Sequence, residues 1–526
     1  MNTQTIPILI GVTGHRAIRE ADRPALTDAV THELKALKAR CPHSRLVMLN
    51  SLAAGADLLC AEAAEALGIG LIAVLPMEQA AYEADFDTAS LAAFQRQIAR
   101  AEQVFVAPPV ETVPPTPTRD FAYRQAGIYL AEHAHTLLAL WDGGEKSGCG
   151  TADVVDFALR GAYQPVYGAP VRSACAVLQI QTPRGDSKET AGTVQVHGDR
   201  AAWERMLTET DRFNALAKEL KTASEPILPQ PREADAVLDR AEALYAAADA
   251  LSVKYAAQYR RILAAIAIVS TVITISLLLY NDAGFKWMIV LCGGAFLVAW
   301  GLLRFARRSD CHNRYIGFRS LAEGLRVQAF LRYAGCKTEA AVLLPWSQQE
   351  QNPWIAGAIR ASAVGGAPQN GNEIRRCWVE AQRAYHERAA KKSRAQFKKS
   401  KTVVRVALIL SISLYVVTLL LELLGGSILP VRLLPFETGG VRTAMNFILG
   451  GLSAATLFIS NYYGRLSLSR AVDDHKKMAR FYARLSDRLA LFGQSEQVLV
   501  LLAREELIEN GNWRSYRQDN APELNL

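Results

Sequence analysis

The eight cysteines include no Cys-x-x-Cys pair. They stand apart at positions 41, 60, 149, 175, 292, 311, 336 and 377, a scatter that gives neither a disulfide framework nor a thiolate zinc site and fits reduced thiols in the cytosol. Ligand spacing is also missing among the nine histidines. His133 and His135, two apart, fall on different sides of a helix or on one face of a strand, so no metal site is expected. Met1–Thr5 is polar and the first apolar run is short, which argues against a signal peptide. No segment matches the Walker A pattern or a full Gly-x-Gly-x-x-Gly fingerprint, which excludes the two commonest phosphate-binding loops. Neither sign of charge dominates. The 59 basic and 51 acidic residues leave a net +8, mild for 526 residues, and no nucleic-acid partner is expected.

What the chain does have is four charge-free apolar stretches, Ile262–Tyr280, Trp287–Leu303, Val406–Leu421 and Thr443–Tyr463. About 20 apolar residues cross the hydrocarbon core, and a run of about 16 needs its flanks to help. With 50% hydrophobic residues overall, the membrane signal lies in clustering and not in the average. Basic residues gather beside the runs: Arg260, Arg261, Arg304, Arg307 and Arg308 around the first pair, a Lys391–Arg405 cluster before the third, and Arg465 and Arg470 after the fourth. The opposite loops, Asn281–Lys286 and Gly425–Arg442, hold only Lys286, Arg432 and Arg442. This asymmetry predicts a multi-pass protein of the inner (cytoplasmic) membrane with both termini in the cytoplasm.

Ahead of these runs, strands alternate with helices. Ile6–Val12, Arg45–Leu49, Leu71–Leu75, Thr136–Leu140 and Val171–Ile180 read as buried strands, and Arg23–Arg40 and Thr151–Ala162 as helices. The alternation predicts a doubly wound, Rossmann-like α/β domain over residues 1–182, followed by an all-α membrane region with four transmembrane helices. Residues 183–232 read as a linker with one short helix near Arg200–Lys221, 233–335 as a first two-span unit, 336–372 as a flexible insert and 373–526 as a second two-span unit. Each membrane unit has an entering helix (Lys254–Arg261, Lys392–Lys399), two spans and a return helix (His312–Arg326, His475–Leu489), an ordered similarity that suggests a duplicated hairpin. Hydroxyls within the spans are expected to bond to their own helix backbone, Glu422 to sit at an interface, and Asn446 to reach a neighbouring helix.

Ligands of an open α/β sheet bind outside the carboxyl ends of its strands. Three loops there are built from glycine and small residues. Gly11-Val-Thr13-Gly14-His15-Arg16 follows the first strand, Ser51-Leu-Ala-Ala-Gly55-Ala56-Asp57 the second, and Asp142-Gly-Gly-Glu-Lys-Ser-Gly148-Cys-Gly150-Thr151 a later one. Glycine lets a backbone approach phosphate, helix starts offer N–H groups to anions, and Arg16 adds a fork of fixed positive charge. The candidate ligand-binding residues are therefore Gly11, Thr13, Gly14, His15, Arg16, Ser51, Gly55, Ala56, Asp57, Asp142, Gly148, Gly150 and Thr151.

These segments resemble the SLOG group of Rossmann-like domains, which includes the lonely-guy phosphoribohydrolases, DNA-processing protein A and sensor domains of bacterial defence proteins. The carriers are Gly11, Gly14, His15 and Arg16, then Gly55–Asp57, then Gly148, Gly150 and Thr151. Lonely-guy enzymes place a catalytic glutamate three residues after the Gly-Thr of that last element, and here the position is Val154, with Asp153 one residue early. The departure weakens an enzymatic reading and favours binding. The paired spans and the Phe318–Arg326 helix resemble SLATT two-span effectors, as do Trp378–His386 and Arg504–Arg514. Together the resemblances imply a cytosolic sensor of a nucleotide-derived ligand (ADP-ribose-like or a cyclic nucleotide), with no other cofactor, that drives a membrane response as a homo-oligomer in antiviral defence. A separate enzyme would make the signal. The alternative reading is a membrane-anchored nucleotide N-glycosidase or phosphoribohydrolase with acid–base candidates among Asp57, Asp142, Asp153 and His15. A transporter or structural protein with a vestigial soluble domain is the third.

Overall fold

The computed structural model describes residues 4–146, 148–161, 175–220, 226–281, 285–368, 371–424 and 468–519, with scattered positions between 440 and 460. The chain divides into two compact units. One joins Met1–Leu251 to Gly317–Ile374 and Gln494–Ser515, and the other joins Ser252–Ile316 to Arg375–Gly493 and Tyr516–Leu526.

In the first unit the apolar runs become a seven-stranded sheet of order β4-β3-β2-β1-β5-β6-β7. The strands are β1 Ile8–Gly14, β2 Leu46–Asn50, β3 Gly70–Leu75, β4 Gln103–Val106, β5 Thr136–Trp141, β6 Ala176–Gln181 and β7 Val194–His197. All neighbours are parallel except β6 and β7. β1, β2, β5 and β6 are buried almost throughout, as a parallel sheet covered on both faces requires. Helix α1 (Arg23–Arg40), with proline in its first turn, turns Leu26, Val30, Leu34 and Leu37 inward at helical spacing. The further helices are α2 Ala56–Ala66, α3 Gln79–Glu83, α4 Thr88–Arg100, α5 Arg119–His133 and α6 Thr151–Arg160. On one face of the sheet, Val154, Val155 and Phe157 of α6 pack with Ile128 of α5, Leu137 of β5 and Val177 of β6.

The unit extends beyond residue 182. The segment predicted as a linker supplies β7 and a buried helix, α7 (Arg200–Lys218). The Trp203 indole of α7 donates to Thr136 Oγ1 at 2.9 Å, and Asn214 clasps the backbone of Ile6, accepting from its N–H at 2.7 Å and donating to its carbonyl at 2.8 Å. The segment predicted as a flexible insert folds as three short helices, α11 Ala340–Leu343, α12 Trp346–Gln351 and α13 Pro353–Ala363 (the long α8, α9 and α10 are described below). Its Trp354 meets Phe213 of α7 and Phe318 in an aromatic cluster with centroids 5.8–6.4 Å apart. Burial of these rings against partners far away in sequence turns both segments into core. Replacing Asn214 with alanine strands the Ile6 backbone groups and is expected to cost about 2 kcal/mol in a denaturation curve.

Three helical stretches are long and apolar enough to cross a membrane: Ala236–Tyr280, Met288–Tyr333 and Arg375–Leu421. They contain α8 (Ala236–Asn281), α9 (Met288–Ser309), α10 (Cys311–Tyr333) and α14 (Ala381–Leu424). A helix of 46 residues is roughly 70 Å long, more than twice the hydrocarbon thickness. Large apolar side chains stand exposed along them, Val290 by 75% and Leu297 by 71%, a surface that hydrocarbon accommodates and water does not. The described residues thus show three membrane-length helices where the hydropathy pattern predicts four. The fourth, Thr443–Tyr463, is described only in part, with helical positions interrupted by ones outside the described residues, and Asn446 and most of the Gly425–Arg442 loop lie outside them. Hydroxyls in the spans bond one turn back as expected, Thr271 to Ala267, Thr274 to Ser270, Ser411 to Ala407 and Thr418 to Leu414, at 2.9–3.0 Å. Also in the second unit, α14 packs along the helix Leu468–Phe492, where His386 Nδ1 lies 3.1 Å from His475 Nδ1.

Candidate functional site

Strands β1 to β4 are laid down outward in one direction, and β5 returns to pair with the other side of β1. The order reverses between β1 and β5, where ligands of such sheets bind. Gly14 ends β1 opposite Leu140 of β5, and the His15 N–H donates to the Leu140 carbonyl at 3.1 Å. The chain then leaves the sheet as the His15–Arg16 loop, above the switch point.

Two of the three predicted loops close on this point. The Ala56 N–H at the start of α2 donates to the His15 carbonyl at 3.0 Å. A Cβ on Gly14 would overlap the Ala56 side chain, and one on Gly55, whose φ is +86°, would overlap the Arg16 carbonyl. Both glycines are thus required by the close approach of the two loops. From β5, the Asp142 N–H lies 3.2 Å from His15 Nε2, and Asp142 Oδ1 approaches the same nitrogen at 3.1 Å. Burial holds the His15 imidazole below its ordinary pKa despite Asp142, so at neutral pH it is uncharged and Nε2 accepts the N–H. Burial opposes ionisation of Asp142, but the Gly144 N–H and the Arg184 guanidinium keep its carboxyl below the usual range.

The third loop arrives through α6. Gly150 caps that helix, and Asp153 folds back so that its Oδ2 accepts the N–H groups of Gly148 and Gly150 at 2.8 and 3.0 Å. This loop's link to the first is geometric at its start, where Asp142 meets His15; burial and then Asp120 raise the pKa of the Cys149 thiol farther along. Thr151 opens α6; Ser147 lies outside the described residues. Ser51 is half-buried just after β2, and Thr13 is buried within β1 opposite Ala139.

Arg16 is an exposed cation of the arrangement, as are Arg119 and Arg184. Its side chain is 50% exposed, lies over the Tyr123 ring at 4.9 Å and approaches Asp85 at 3.7 Å. Asp85 also takes Arg119 and the Tyr123 hydroxyl. Beneath sits Asp57, whose burial pushes its carboxyl up to about 7, offset only in part by the Ala53 N–H and Arg16.

Gly11 does not belong with the others. It lies mid-strand, where a Cβ would stand 2.9 Å from Ala134 and 3.0 Å from Leu137, so it serves strand–helix packing and not a loop. Val154 packs against Gly127 of α5 in the core, and Asp153 is engaged in holding its loop. The sequence reading missed the ring of Asp85, Arg119 and Tyr123 around Arg16, which comes from segments separated by intervening strands. It also missed Asn50, whose side chain bonds to the Asp57 carbonyl at 2.8 Å and accepts from the Leu52 N–H at 2.6 Å. That bond holds Leu52 at φ +58°, an uncommon conformation for a branched residue that costs on the order of 1 kcal/mol and tends to cluster at functional sites.

The fold and this edge define an α/β domain with a ligand-type switch point in a chain that also carries membrane-length helices. The chain matches no protein-family model and no curated protein sequence.

Proposed function

We propose that the chain is a membrane effector whose SLOG-like domain binds a nucleotide-derived signal, ADP-ribose-like or a cyclic nucleotide, and whose SLATT-like helices then alter the bilayer as a pore or channel. In this reading it acts as a homo-oligomer in the bacterial inner membrane, with both termini cytoplasmic, and a separate enzyme supplies the signal during antiviral defence. The observation that carries the reading is the meeting of three glycine-bearing loops around Arg16 at the β1/β5 switch point, within a chain that also has three membrane-length helices. Helix α8 begins in the α/β unit and continues into an apolar span. A ligand shifts the closed–open balance only by its differential affinity for the two states, so the loops must differ between them.

A second reading has one observation in its favour. Asp57, with its carboxyl near 7 beside Arg16, has the half-protonated state that suits a general acid or base, as a nucleotide N-glycosidase would need. Calorimetric titration of the full detergent-solubilised chain with ADP-ribose, its cyclic forms, NAD, nucleoside monophosphates and cyclic dinucleotides, with product analysis of each mixture, separates the two. Binding without turnover is the expected result. Cleavage that Asp57→Asn abolishes would establish the enzyme, and no binding by any of them would contradict both readings.

A further inference from the structure

The first unit also encloses a cavity of about 730 Å³, within the size range of small-molecule sites. None of the candidate loop residues lines it. It opens at the other edge of the sheet, where α5 ends and β5 begins, with His133, His135 and Cys175 on its wall.

His135 decides its chemistry. The Leu9 N–H donates to His135 Nδ1 at 3.0 Å, while the His135 N–H donates to the Leu9 carbonyl at 2.9 Å. Because Nδ1 accepts, the ring proton sits on Nε2. That N–H belongs to a side chain only 1% exposed, lines the cavity and has no hydrogen-bond partner among the described residues. A buried donor left unpaired is costly, so one on a residue of the cavity wall points to a missing acceptor. Gly357 keeps the approach clear, since a Cβ there would stand 3.1 Å from Nε2.

The charge around it has a definite sign. Arg332, Lys337, Arg360 and Arg504 line the cavity against Glu132 and Glu339, with Arg332 already paired to Asp235 at 2.9 Å and donating to the Gly366 carbonyl. Glu339 is already matched. His133 donates through Nδ1 to the Tyr129 carbonyl at 2.9 Å, and its Nε2 lies 2.9 Å from Glu339 Oε1. Burial opposes charge on both, yet their mutual attraction raises the His133 pKa and lowers that of Glu339, so the pair is an imidazolium–carboxylate. Burial also raises the carboxyl of Glu132. The Arg360 guanidinium, in contrast, makes no ion pair or hydrogen bond among the described residues. Pro108, Phe157, Met206 and Trp346 add apolar wall.

We propose that this cavity is a second ligand site, for a small organic anion that carries a carboxylate or phosphate on an apolar body, with His135 Nε2–H and the Arg360 guanidinium gripping the oxyanion. It is independent of the ligand assigned to the loops at the carboxyl edge. The probes are 2-naphthoate and 1-naphthyl phosphate, titrated calorimetrically into the full detergent-solubilised chain against empty micelles, with neutral 2-naphthamide as reference. At least one anion is expected to bind at least tenfold more tightly than the amide. Arg360→Gln is expected to weaken it at least tenfold. His135→Asn, whose side-chain oxygen still accepts from Leu9, is expected to do the same with thermal unfolding unchanged. Arg16→Ala leaves it as in wild type. The proposal fails if neither anion binds, if the amide binds equally, if both cavity variants retain wild-type affinity, or if Arg16→Ala alone abolishes binding, which would place the anion at the other edge.

Discussion

Arg16→Ala is expected to weaken binding of the nucleotide-derived ligand about a hundredfold while leaving folding and membrane insertion intact. A hydrogen bond to a charged group contributes about 1.5–3 kcal/mol, and each 1.4 kcal/mol is tenfold in affinity. Arg16 is the cation within reach of all three loops: its carbonyl lies against Gly55, its charge is felt at Asp57 and Cys149, and the preceding His15 meets Asp142. Half its side chain is exposed, and Asp85 keeps Arg119 and the Tyr123 hydroxyl when Arg16 is truncated, so the fold is expected to survive. Calorimetry on the full chain measures the loss. Wild-type affinity in the variant would remove these loops as the binding site.

Asp57→Asn is expected to raise stability at pH 8 by as much as about 4 kcal/mol and to leave it nearly unchanged below pH 4. The Asp57 carboxyl titrates near 7 in the folded chain against 3.8 for the free group, with burial the main cause. Below 3.8 both states are protonated and there is no penalty. Between 3.8 and 7 the folded state holds a proton that the unfolded state has released, so stability falls as pH rises, by about 1.4 kcal/mol per unit, and the cost is complete above 7. Asparagine keeps an oxygen for the Ala53 N–H, which approaches Asp57 Oδ2 at 3.3 Å, and carries no charge. Denaturation midpoints at pH 4 and pH 8 provide the check; an equal effect at both would place the Asp57 pKa near its ordinary value. The same charge faces the proposed ligand, so anion affinity is expected to decline as pH rises through 7 and to lose that decline in the variant.

Much of this was legible because β1, β2, β3 and β5 are buried runs bounded by glycine or polar turns, and a parallel sheet writes itself into sequence that way. The edge strands β4 and β7 escaped notice because each has four residues and only partial burial. The helix expected near Arg200–Lys221 is α7, but its place in the core, like the whole of α13, is not written locally, because Phe213, Phe318 and Trp354 come together from three separate stretches. Trp203, Met206, Leu207, Thr210, Phe213 and Ala217 form the helical stripe along which α7 is buried. At the candidate site, glycines at strand ends located the loops, but a glycine within a strand is a packing device, which is why Gly11 was misplaced. The partners of Arg16 were illegible in principle, since Asp85 and Tyr123 reach it only through the tertiary fold.

Because the α/β unit draws on residues 317–374 and 494–515 as well as the amino-terminal part, functional tests belong on the whole chain. The most direct is dye release from liposomes containing it, with the tightest-binding nucleotide of the panel added outside after inside-out reconstitution. The account predicts ligand-dependent release that saturates with the binding curve and shifts to about a hundredfold higher ligand concentration in Arg16→Ala. Saturated binding with intact liposomes, or release that Arg16→Ala leaves unchanged, would contradict it.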